Sequence, residues 1–549
     1  MLIATPKYFV GELAFIGVFA ACAWFPTLST GQEADHLRDL QQRAIKDGVA
    51  AWGHWGARPD DFTEWQTHTN RLIPVYTFGA NLDQLDGPNS AYRSPNKLTS
   101  IYGRVPVGTL YPEAEYFDQT DIYRLQVAAM VSGKKYIILV IFDGMDWQTT
   151  QAAAIYRSGK VAYMEGRGTG LAFQDYDGAE TDFGFMVTSP HNDRTEINVD
   201  KQIATLSNVT PQGGYHPFQG GVTPWARPGE LAYLEGKGER WVHPFTDSAS
   251  SGTAMMSGVK TYNKAINIDR NGSGVTPMSR HLQESRGYAV GVVTSVPFCH
   301  ATPATAYAQN VTRDDYQDLA RDLLGLPSVT HPNDGLSGVD VLLGTGWGVK
   351  LETDPMQGEN FVAGNRYLAA ADLAAVNTDN GGRYTTVTRA TGQDGSEALK
   401  QAARKAVETQ GRLFGIFGAG EVYNHLPFQT ADGNYNPAKG SRELESYSPA
   451  DIEENPTLAE MTDAALDILE LNEKGFWLLV EAGDVDWANH DNNIDKSIGA
   501  VISGEDAFSV ITNWAEQDER WKDTLVIVAA DHGHLFTLLE PDALLEQKK

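Results

Sequence analysis

The chain has few cysteines, few basic residues and no long apolar segment, and each shortage excludes a class of protein. Of its 549 residues only two are cysteines, Cys22 and Cys299. Cys22 lies in an N-terminal apolar stretch, so loss of that stretch would leave a mature chain unable to form an internal disulfide. Lysine and arginine number 43 against 71 acidic residues, a formal net charge of −28. That balance argues against a nucleic-acid backbone as partner.

The N-terminal apolar stretch runs from Leu13 to Pro26 and follows Lys7. It has the length of a signal-peptide core and is too short to span a bilayer comfortably. We therefore assign residues 1–29 to a leader and expect export to the periplasm or the exterior. A buried helix is the alternative for this stretch. The four residues that end at Cys22 (FAAC) also resemble a lipoprotein cleavage box, which would place a lipid anchor on that cysteine.

The rest of the chain has the composition of a soluble globular protein. It is 42% hydrophobic and 21% charged, with no internal repeat, coiled coil or low-complexity tail. We treat residues 30–549 as a single large domain. Residues 30–130, rich in Asn, Pro, Gly and Tyr, predict an irregular lead-in that packs over a core beginning at Tyr136, with one helix near Gln32–Ala50.

Three apolar runs each end on an acidic residue. They are Tyr136–Phe142 before Asp143, Phe476–Val480 before Glu481, and Thr524–Ala530 before Asp531. Continuous runs of Val, Ile and Leu predict buried parallel strands. Because the carboxyl ends of such strands face the ligand crevice, we expect the three carboxylates to meet at one edge of one sheet. Carboxylates clustered in this way repel one another and would hold protons or a cation.

The remaining periodic segments indicate an α/β fold. Further strands are predicted at Tyr288–Thr294, Val339–Leu343 and Leu413–Phe417, and helices at Asp315–Leu324, Ser396–Thr409 and Thr457–Glu473. Strands alternating with helices imply a large, mostly parallel central sheet with helices on both faces. A polar, glycine-rich segment at roughly 155–240 predicts an insertion over the active-site edge, and ordinary surface loops explain its composition equally well.

Ser248 lies in a stretch of small residues, TDSASSGTA, that continues as a helical pattern to about Lys260. A serine at a helix N-terminus among small side chains lets a bulky anion approach its hydroxyl and the nearby N–H groups. The commoner explanation of such a serine is a helix cap. No base for a Ser-His-Asp triad stands nearby, whereas a metal could lower the pKa of the hydroxyl.

Thr302 and Arg313 follow the strand predicted at Tyr288–Thr294, and so lie at the same edge. A threonine hydroxyl is an oxygen ligand suited to Mg²⁺, and an arginine can clamp two phosphate oxygens. Taken singly, each is more often structural. Histidines accompany two of the carboxylates, in the pairs Asp531-His532 and Asp486 with His490.

Together these stretches resemble the alkaline phosphatase family. The matching segments, which occur in the family's order, are VIFDGMDW, TDSASSGTA, HATPATAYAQNVTR, VEAGDVDWANH and VAADHGH. The resemblance covers about residues 136–534. It implies hydrolysis of small phosphate monoesters at a site with two zinc ions and one magnesium ion, and a homodimer. The sequence itself does not fix the oligomeric state or the physiological substrate.

The resemblance also implies a role for each site residue. Ser248 would be the nucleophile, and Arg313, oriented by Asp247, would clamp the phosphoryl oxygens. One zinc ion, which also contacts Ser248, would be held by Asp143, Asp531 and His532, and the other by Asp486 and His490. Magnesium would be held by Asp143, Thr302 and Glu481, and His534 would orient a carboxylate ligand. These ligand types suit the two metals.

Three features depart from the family's pattern. His300 and Trp487 stand where some members have Asp and Lys, which resembles a second subgroup in which less positive charge reaches the phosphate. The interval from Asp143 to Ser248 is long. The family's further zinc histidine and sheet strands, which normally follow the segment ending at His534, are absent from the sequence after it. We therefore expect an incomplete C-terminus, an uncovered sheet edge and a second zinc held by two protein ligands only. Earlier histidines such as His425 could substitute, but their spacing does not favour them.

Other functions remain as alternatives. A phosphodiesterase of the same superfamily would keep the fold and the metals, although Arg313 favours a dianionic monoester. A sulfatase is disfavoured because no Cys-x-Pro-x-Arg motif surrounds Ser248. The second class is non-catalytic: an impaired, truncated relative that binds metal or phosphate without turnover.

Overall fold

The computed structural model describes residues 36–55, 68–193, 195–207, 212–234, 245–419, 424–438 and 446–545. The leader assigned to residues 1–29, with Cys22, lies outside these ranges. Cys299 is buried and free. Within the described ranges no helix combines the length and apolar character needed to cross a membrane.

The strands occur in the following order along the chain. They are β1 (Gly53–Trp55), β2 (His68–Thr69), β3 (Ile73–Phe78), β4 (Phe117–Asp118), β5 (Tyr136–Phe142), β6 (Thr181–Val187), β7 (Thr195–Asn198), β8 (Ile203–Leu206), β9 (Ala289–Pro297), β10 (Val341–Thr345), β11 (Lys350–Leu351), β12 (Gly364–Asn365), β13 (Tyr384–Thr388), β14 (Arg412–Phe417), β15 (Phe476–Ala482), β16 (Thr524–Ala529), β17 (Gly533–His534) and β18 (Phe536–Leu538).

The α-helices are interspersed among these strands. They are α1 (His36–Asp47), α2 (Pro95–Tyr102), α3 (Asp121–Ser132), α4 (Trp147–Ser158), α5 (Ala172–Asp175), α6 (Pro217–Gly220), α7 (Leu231–Leu234), α8 (Ser248–Ser257), α9 (Met278–Arg286), α10 (Ala301–Thr305), α11 (Tyr316–Leu324), α12 (Ala370–Val376), α13 (Gly395–Thr409), α14 (Pro449–Glu453), α15 (Leu458–Leu469), α16 (Asp484–His490) and α17 (Ile494–Glu516).

A ten-stranded sheet forms the centre of the fold, in the order β13-β14-β10-β9-β15-β5-β16-β3-β6-β4. All its strands run in one direction except β3, which is antiparallel to both β16 and β6. Every residue of β9, β15 and β16 is buried, so both faces of the sheet are covered. The predicted α/β fold with a large, mostly parallel sheet is confirmed.

The interior strands begin and end close to where the sequence places them. β5 matches its predicted run, and β15 and β16 differ from theirs only at the carboxyl end. The helices predicted at Gln32–Ala50, Asp315–Leu324, Ser396–Thr409 and Thr457–Glu473 correspond to α1, α11, α13 and α15. Continuous apolar runs identify such strands because residues buried on both faces must be apolar throughout.

The prediction that the core begins at Tyr136 is wrong. β3 is a fully buried strand of the central sheet, and its Val75 pairs with Ala529 of β16. β6, which falls inside the segment predicted as an insertion, pairs with β3 along its length. The sheet therefore continues beyond β16, and the expected uncovered edge there does not exist. Pro74 makes β3 hard to recognise from the sequence, because a proline within an apolar run argues against a central strand.

Shortening Ile73 of β3 tests this correction. Ile73 is fully buried, so Ile73→Ala should lower the free energy of unfolding by about 2–5 kcal/mol through lost burial and a residual cavity. Urea unfolding followed by circular dichroism measures the change. Val131→Ala is the control, because Val131 is 73% exposed and its loss should stay within about 0.5 kcal/mol. Equal, small effects would mean that residues 30–130 only cover the core.

Candidate active site

The carboxyl edge of the central strands brings the predicted acidic residues together. β9, β15, β5 and β16 are neighbours in the sheet. Asp143 follows β5, Glu481 lies near the end of β15, and Asp531 follows β16. All three side chains are buried. Burial, reinforced by the charges of Asp486 and Glu481, raises the pKa of Asp143 well above its ordinary value. This charge concentration is the main electrostatic feature of the site.

The first candidate metal group consists of Asp143, Asp531 and His532, whose ligand atoms all lie within 4.8 Å of one another. His532 Nε2 is 3.2 Å from Asp143 Oδ1 and 3.5 Å from Asp531 Oδ2. Ser248 Oγ lies 3.3 Å from the same His532 nitrogen. The predicted nucleophile therefore lies directly beside this group.

Backbone donors fix the orientation of the Asp531 carboxylate. Its Oδ1 accepts hydrogen bonds from the N–H groups of Gly144, at 3.0 Å, and His532, at 2.9 Å. Its buried Oδ2 makes no hydrogen bond within the described part of the chain. Burial, with the charge of Asp143, raises the pKa of Asp531. One oxygen is thus committed to the backbone and the other is left for a cation.

The second candidate metal group contains His68, Asp486, His490 and His534. Asp486 and His490 lie on one face of α16, as residues four apart do. Asp486 Oδ1 is 3.4 Å from His490 Nε2, 2.8 Å from His534 Nε2 and 3.6 Å from His68 Nε2. Burial alone would raise the pKa of Asp486, but His490 and His534 outweigh it and lower the pKa well below its ordinary value.

The structure adds His68 to the two side chains expected in the second group. His68 Nδ1 hydrogen-bonds the backbone oxygen of Thr246 at 2.9 Å, so this nitrogen carries the proton. Its Nε2 is then a lone-pair donor, and it faces His490 Nε2 at 3.0 Å. A ring nitrogen fixed by a carbonyl, with the other turned toward a carboxylate and a second imidazole, is the arrangement of a metal-ligating histidine.

No local signal marks His68 as a site residue. It is a lone histidine in a polar stretch, and its position depends on β2 pairing with β17, where His68 lies opposite His534. The apolar run Ile73–Phe78, five residues later, indicates a buried strand, and recognising that strand would have placed His68 near the sheet. His425, the substitute considered from the sequence, belongs to neither candidate group among the described residues. Its Nδ1 lies 2.7 Å from Asp484 Oδ1 instead.

Thr302, Glu481 and Asp143 offer a third set of ligands, composed of oxygen atoms. Glu481 Oε2 accepts a hydrogen bond from the Thr294 hydroxyl. Glu481 Oε1 and Thr302 Oγ1 are buried and make no hydrogen bond of good geometry within the described ranges. Burial raises the pKa of Glu481 to about 8. Unpaired buried oxygens of this kind fit a hard cation such as Mg²⁺.

The two short helices that carry Ser248 and Thr302 pack closely against each other. Ser248 is the first residue of α8, and Thr302 lies in α10. A Cβ atom on Gly252 of α8 would come within 2.2 Å of the Thr305 hydroxyl in α10. The run of small residues after Ser248 therefore allows α8 to approach α10 as well as leaving space at the nucleophile.

Arg313 and Asp247 form the side of the site where an anion would bind. Asp247 caps α8 by accepting from Ser250 N at 3.0 Å, and its Oδ2 pairs with Arg313 Nη1 at 3.2 Å. Burial alone would raise the pKa of Asp247, but Arg313 and the backbone donors hold it below its ordinary value. The helix N-terminus and the guanidinium together favour an anion here.

His300 and Trp487 border this side of the site. Arg313 Nη2 lies 3.4 Å from His300 Nδ1, and the rings of His300 and Trp487 meet edge to face with centroids 6.0 Å apart. Burial, with the charge of Arg313, lowers the pKa of His300 to about 3. His300 is therefore neutral at physiological pH, and it adds no charge for a bound anion.

The alkaline phosphatase family model matches residues 238–543, which is more than half of the chain. The chain belongs to the alkaline phosphatase family. The match contains Ser248, Arg313 and both histidines of the Asp531 segment. It excludes Asp143 and His68, which the fold nevertheless brings into the two candidate metal groups.

The relatives include alkaline phosphatases of bacteria and vertebrates. Alkaline phosphatase 4 of Bacillus subtilis (strain 168) is 31% identical over 290 residues, 52% of this chain and 49% of the relative. Alkaline phosphatase H of Pseudomonas aeruginosa (strain UCBPP-PA14) is 32% identical over 301 residues, 54% of this chain and 59% of the relative. The chain thus spans about half the length of the curated relatives it matches. A solved structure of a cold-active alkaline phosphatase from Shewanella sp. is 22% identical, with a TM-score of 0.42 over 73% of this chain and 68% of that one.

Gly144 offers a test of the site's geometry. Its φ is +70°, and an added Cβ would lie 2.8 Å from His534 Nε2 and 3.0 Å from Asp486 Cα. Gly144→Ala should therefore destabilise the fold and displace His534, as measured by urea unfolding and a crystal structure of the variant. Gly159→Ala is the matched control, because its φ is +65° but nothing lies within 4 Å of the new atom. The control should show only the backbone strain, about 1 kcal/mol. Equal losses in the two variants would argue against close packing at Gly144.

Proposed function

We propose that the chain hydrolyses phosphate monoesters through a covalent phosphoserine at Ser248. The contact of Ser248 Oγ with His532 Nε2, at 3.3 Å, carries this proposal, because it puts a helix-terminal hydroxyl at the first candidate metal group. A serine hydroxyl next to a bound cation can act as a nucleophile without a neighbouring base, since the cation lowers its pKa. The family membership supports the same chemistry.

Two zinc ions and one magnesium ion are the cofactors we propose. Asp143, Asp531 and His532 would hold one zinc, and the second group, with Asp486, His490 and His68, would hold the other. Asp143, Thr302 and Glu481 would hold magnesium. When bound, the ions would supply positive charge at the entering and leaving oxygens of an in-line phosphoryl transfer. The unpaired buried oxygens of Asp531, Glu481 and Thr302 support this assignment.

The chain's own residues would hold the phosphoryl group between Ser248 and Arg313. The Arg313 guanidinium, oriented by Asp247, would donate two parallel hydrogen bonds to phosphoryl oxygens. The first turn of α8 would face the same group with its free N–H groups. His534, at 2.8 Å from Asp486, would hold that carboxylate in the orientation needed to bind the second zinc ion.

The reaction would proceed by two displacements at phosphorus. Ser248 Oγ would form a bond to phosphorus while the ester oxygen leaves, and water would then displace the serine to release phosphate. Two in-line displacements give overall retention at phosphorus. Because the residues assigned to substrate binding would contact only the phosphoryl group, we propose broad specificity for the rest of the substrate. A phosphodiesterase is the second candidate, but Arg313 suits the two free charges of a monoester better.

The cellular setting is part of the proposal. The apolar leader, residues 1–29, motivates action in the periplasm or outside the cell, and the family resemblance motivates a homodimer. The net charge of −28 would keep such a protein soluble, and repulsion at its surface would be screened in salty surroundings.

Ser248→Ala should abolish the covalent intermediate and most turnover without unfolding the protein. The physical reason is that no other described hydroxyl makes the contact with His532. Radiolabelled phosphate trapped in acid should label the wild type and not the variant, while hydrolysis of a chromogenic monoester falls in parallel.

Ser257→Ala is the matched control for the nucleophile. Ser257 lies at the other end of α8, where its hydroxyl bonds the backbone oxygen of Thr253 at 2.7 Å. This variant should keep both the label and the activity. A phosphate label that persists in Ser248→Ala would reject the assigned nucleophile, and a wild type that binds metal without hydrolysing any phosphoester would favour the non-catalytic alternative.

Metal removal and a His68 variant test the second group. Chelation should inactivate the protein, and zinc with magnesium should restore it. His68→Ala should retain one tight zinc and weaken the other by more than the roughly 10–100-fold that follows loss of an outer partner. Elemental analysis after equilibration with a calibrated chelator measures both sites.

His425→Gln serves as the control for the histidine variant. His425 is a buried histidine paired with Asp484, outside both candidate groups, so this variant should keep two tight zinc ions. If His425→Gln loses the second zinc and His68→Ala does not, our assignment of the ligands is wrong. Full activity after exhaustive chelation would contradict metal dependence altogether.

A further inference from the structure

Gln119 connects the N-terminal part of the chain to the first candidate metal group. It is fully buried between β4 and α3. Its Nε2 donates to the backbone oxygen of Asp531, at 2.9 Å, and to the Ser251 hydroxyl. Ser251 in turn donates to the same Asp531 oxygen. The main chain at Asp531 is therefore held by two donors that come from different segments.

Lys260 determines which way the Gln119 amide points. Lys260 Nζ lies 3.3 Å from Gln119 Oε1, and it also contacts the backbone oxygen of Val187, at 3.3 Å, and Asp118 Oδ2, at 3.5 Å. An ammonium group has donors only, so the amide oxygen must face it. The amide nitrogen then has to face Asp531 and Ser251.

The partner of Lys260 is itself fixed. Asp118 is fully buried, and its Oδ2 accepts from the Tyr92 hydroxyl at 2.7 Å. Its Oδ1 accepts from the backbone and the side chain of Thr120, at 2.9 Å and 2.8 Å. The chain of contacts Asp118–Lys260–Gln119 therefore has no freedom to reorient without leaving a buried polar group unpaired, which is costly.

These contacts end on the two segments that carry the chemistry. Ser251 lies one turn after Ser248 in α8, and Asp531 precedes His532. The Asp531 carboxylate is held by Gly144 and His532, and its carbonyl by Gln119 and Ser251. With both ends of the residue held, its free carboxylate oxygen keeps one direction relative to Ser248.

We propose that Gln119 is a positioning residue for the phosphoryl transfer described above, acting through the Asp531 carbonyl and Ser251. The inference rests on the proposed function. Gln119 sets the distance between the ligand segment Asp531-His532 and the helix that carries Ser248, so its loss loosens the first metal group without removing a ligand.

Two variants separate the hydrogen bonds from the shape of the side chain. Gln119→Glu keeps the shape and the contact with Lys260, but an ionised carboxylate cannot donate to Asp531 or Ser251. Gln119→Met keeps the length and removes all polar atoms. Both should release the zinc of the first group to a chelator about 10-fold faster than the wild type does, which is the scale for lost outer partners. Both should lower kcat more than they change KM.

Gln126→Met is the matched control. Gln126 is also fully buried on α3 and also contacts α8, donating to the backbone oxygen of Met255 at 3.0 Å, and it accepts from Trp477 Nε1 at 2.8 Å. It does not contact Asp531. Its loss should reduce stability to urea and leave zinc release unchanged. In protein loaded with Co²⁺, the visible spectrum should change in the Gln119 variants and not in Gln126→Met.

The outcomes distinguish this inference from the proposed function. If wild-type protein holds no zinc, or hydrolyses no monoester when loaded with zinc, both the proposed function and the positioning role are rejected. If the wild type is active but the Gln119 variants match Gln126→Met in zinc release, cobalt spectrum and kcat, only the positioning role is overturned. Faster zinc release and an altered cobalt spectrum in both Gln119 variants, with the control unchanged, support it.

Discussion

Repulsion among buried carboxylates is the constraint on which the rest of the site depends. Asp143, Glu481, Asp486 and Asp531 converge at one edge of the sheet, and all four are buried. Left alone, such a group would take up protons, which is the direction in which burial moves the pKa values of Asp143 and Asp531. Three histidines share a candidate metal group with Asp486. The site therefore combines carboxylate oxygens with imidazole nitrogens close enough together to be candidate metal ligands.

Much of this edge could be predicted from the sequence because its strands are interior and parallel. A strand buried on both faces must be apolar throughout, so the first polar residue after it marks the edge of the sheet. That rule is sufficient to place Asp143, Glu481 and Asp531 at the same edge of the sheet. It also places Thr302 there, since β9 precedes it. The order of the strands, by contrast, follows from long-range pairing that no single segment specifies.

The parts that could not be predicted come from residues before Tyr136 and from the segment that contains β6. β3 contains Pro74 and runs antiparallel, and β6 lies in a polar segment, so neither has the pattern of a central strand. His68 and Gln119 carry no local sign of their roles, because an isolated histidine or glutamine is defined by its tertiary neighbours. Local patterns predict the strands that carry the carboxylates, whereas the side chains that complete and brace the site depend on how distant segments pair.

The direction of β3 explains how so early a segment reaches the site. Parallel strands present their carboxyl ends at the active edge, so an antiparallel neighbour presents its amino end there. Val75 pairs with Ala529, near the end of β16, so the residues before Ile73 continue past the edge alongside those that follow Ala529. His68 accordingly lies opposite His534 in the short β2–β17 ladder. A single reversed strand thus lets the chain bring a histidine from its N-terminal side to Asp486 and His490, which reach the same edge from β15 through α16.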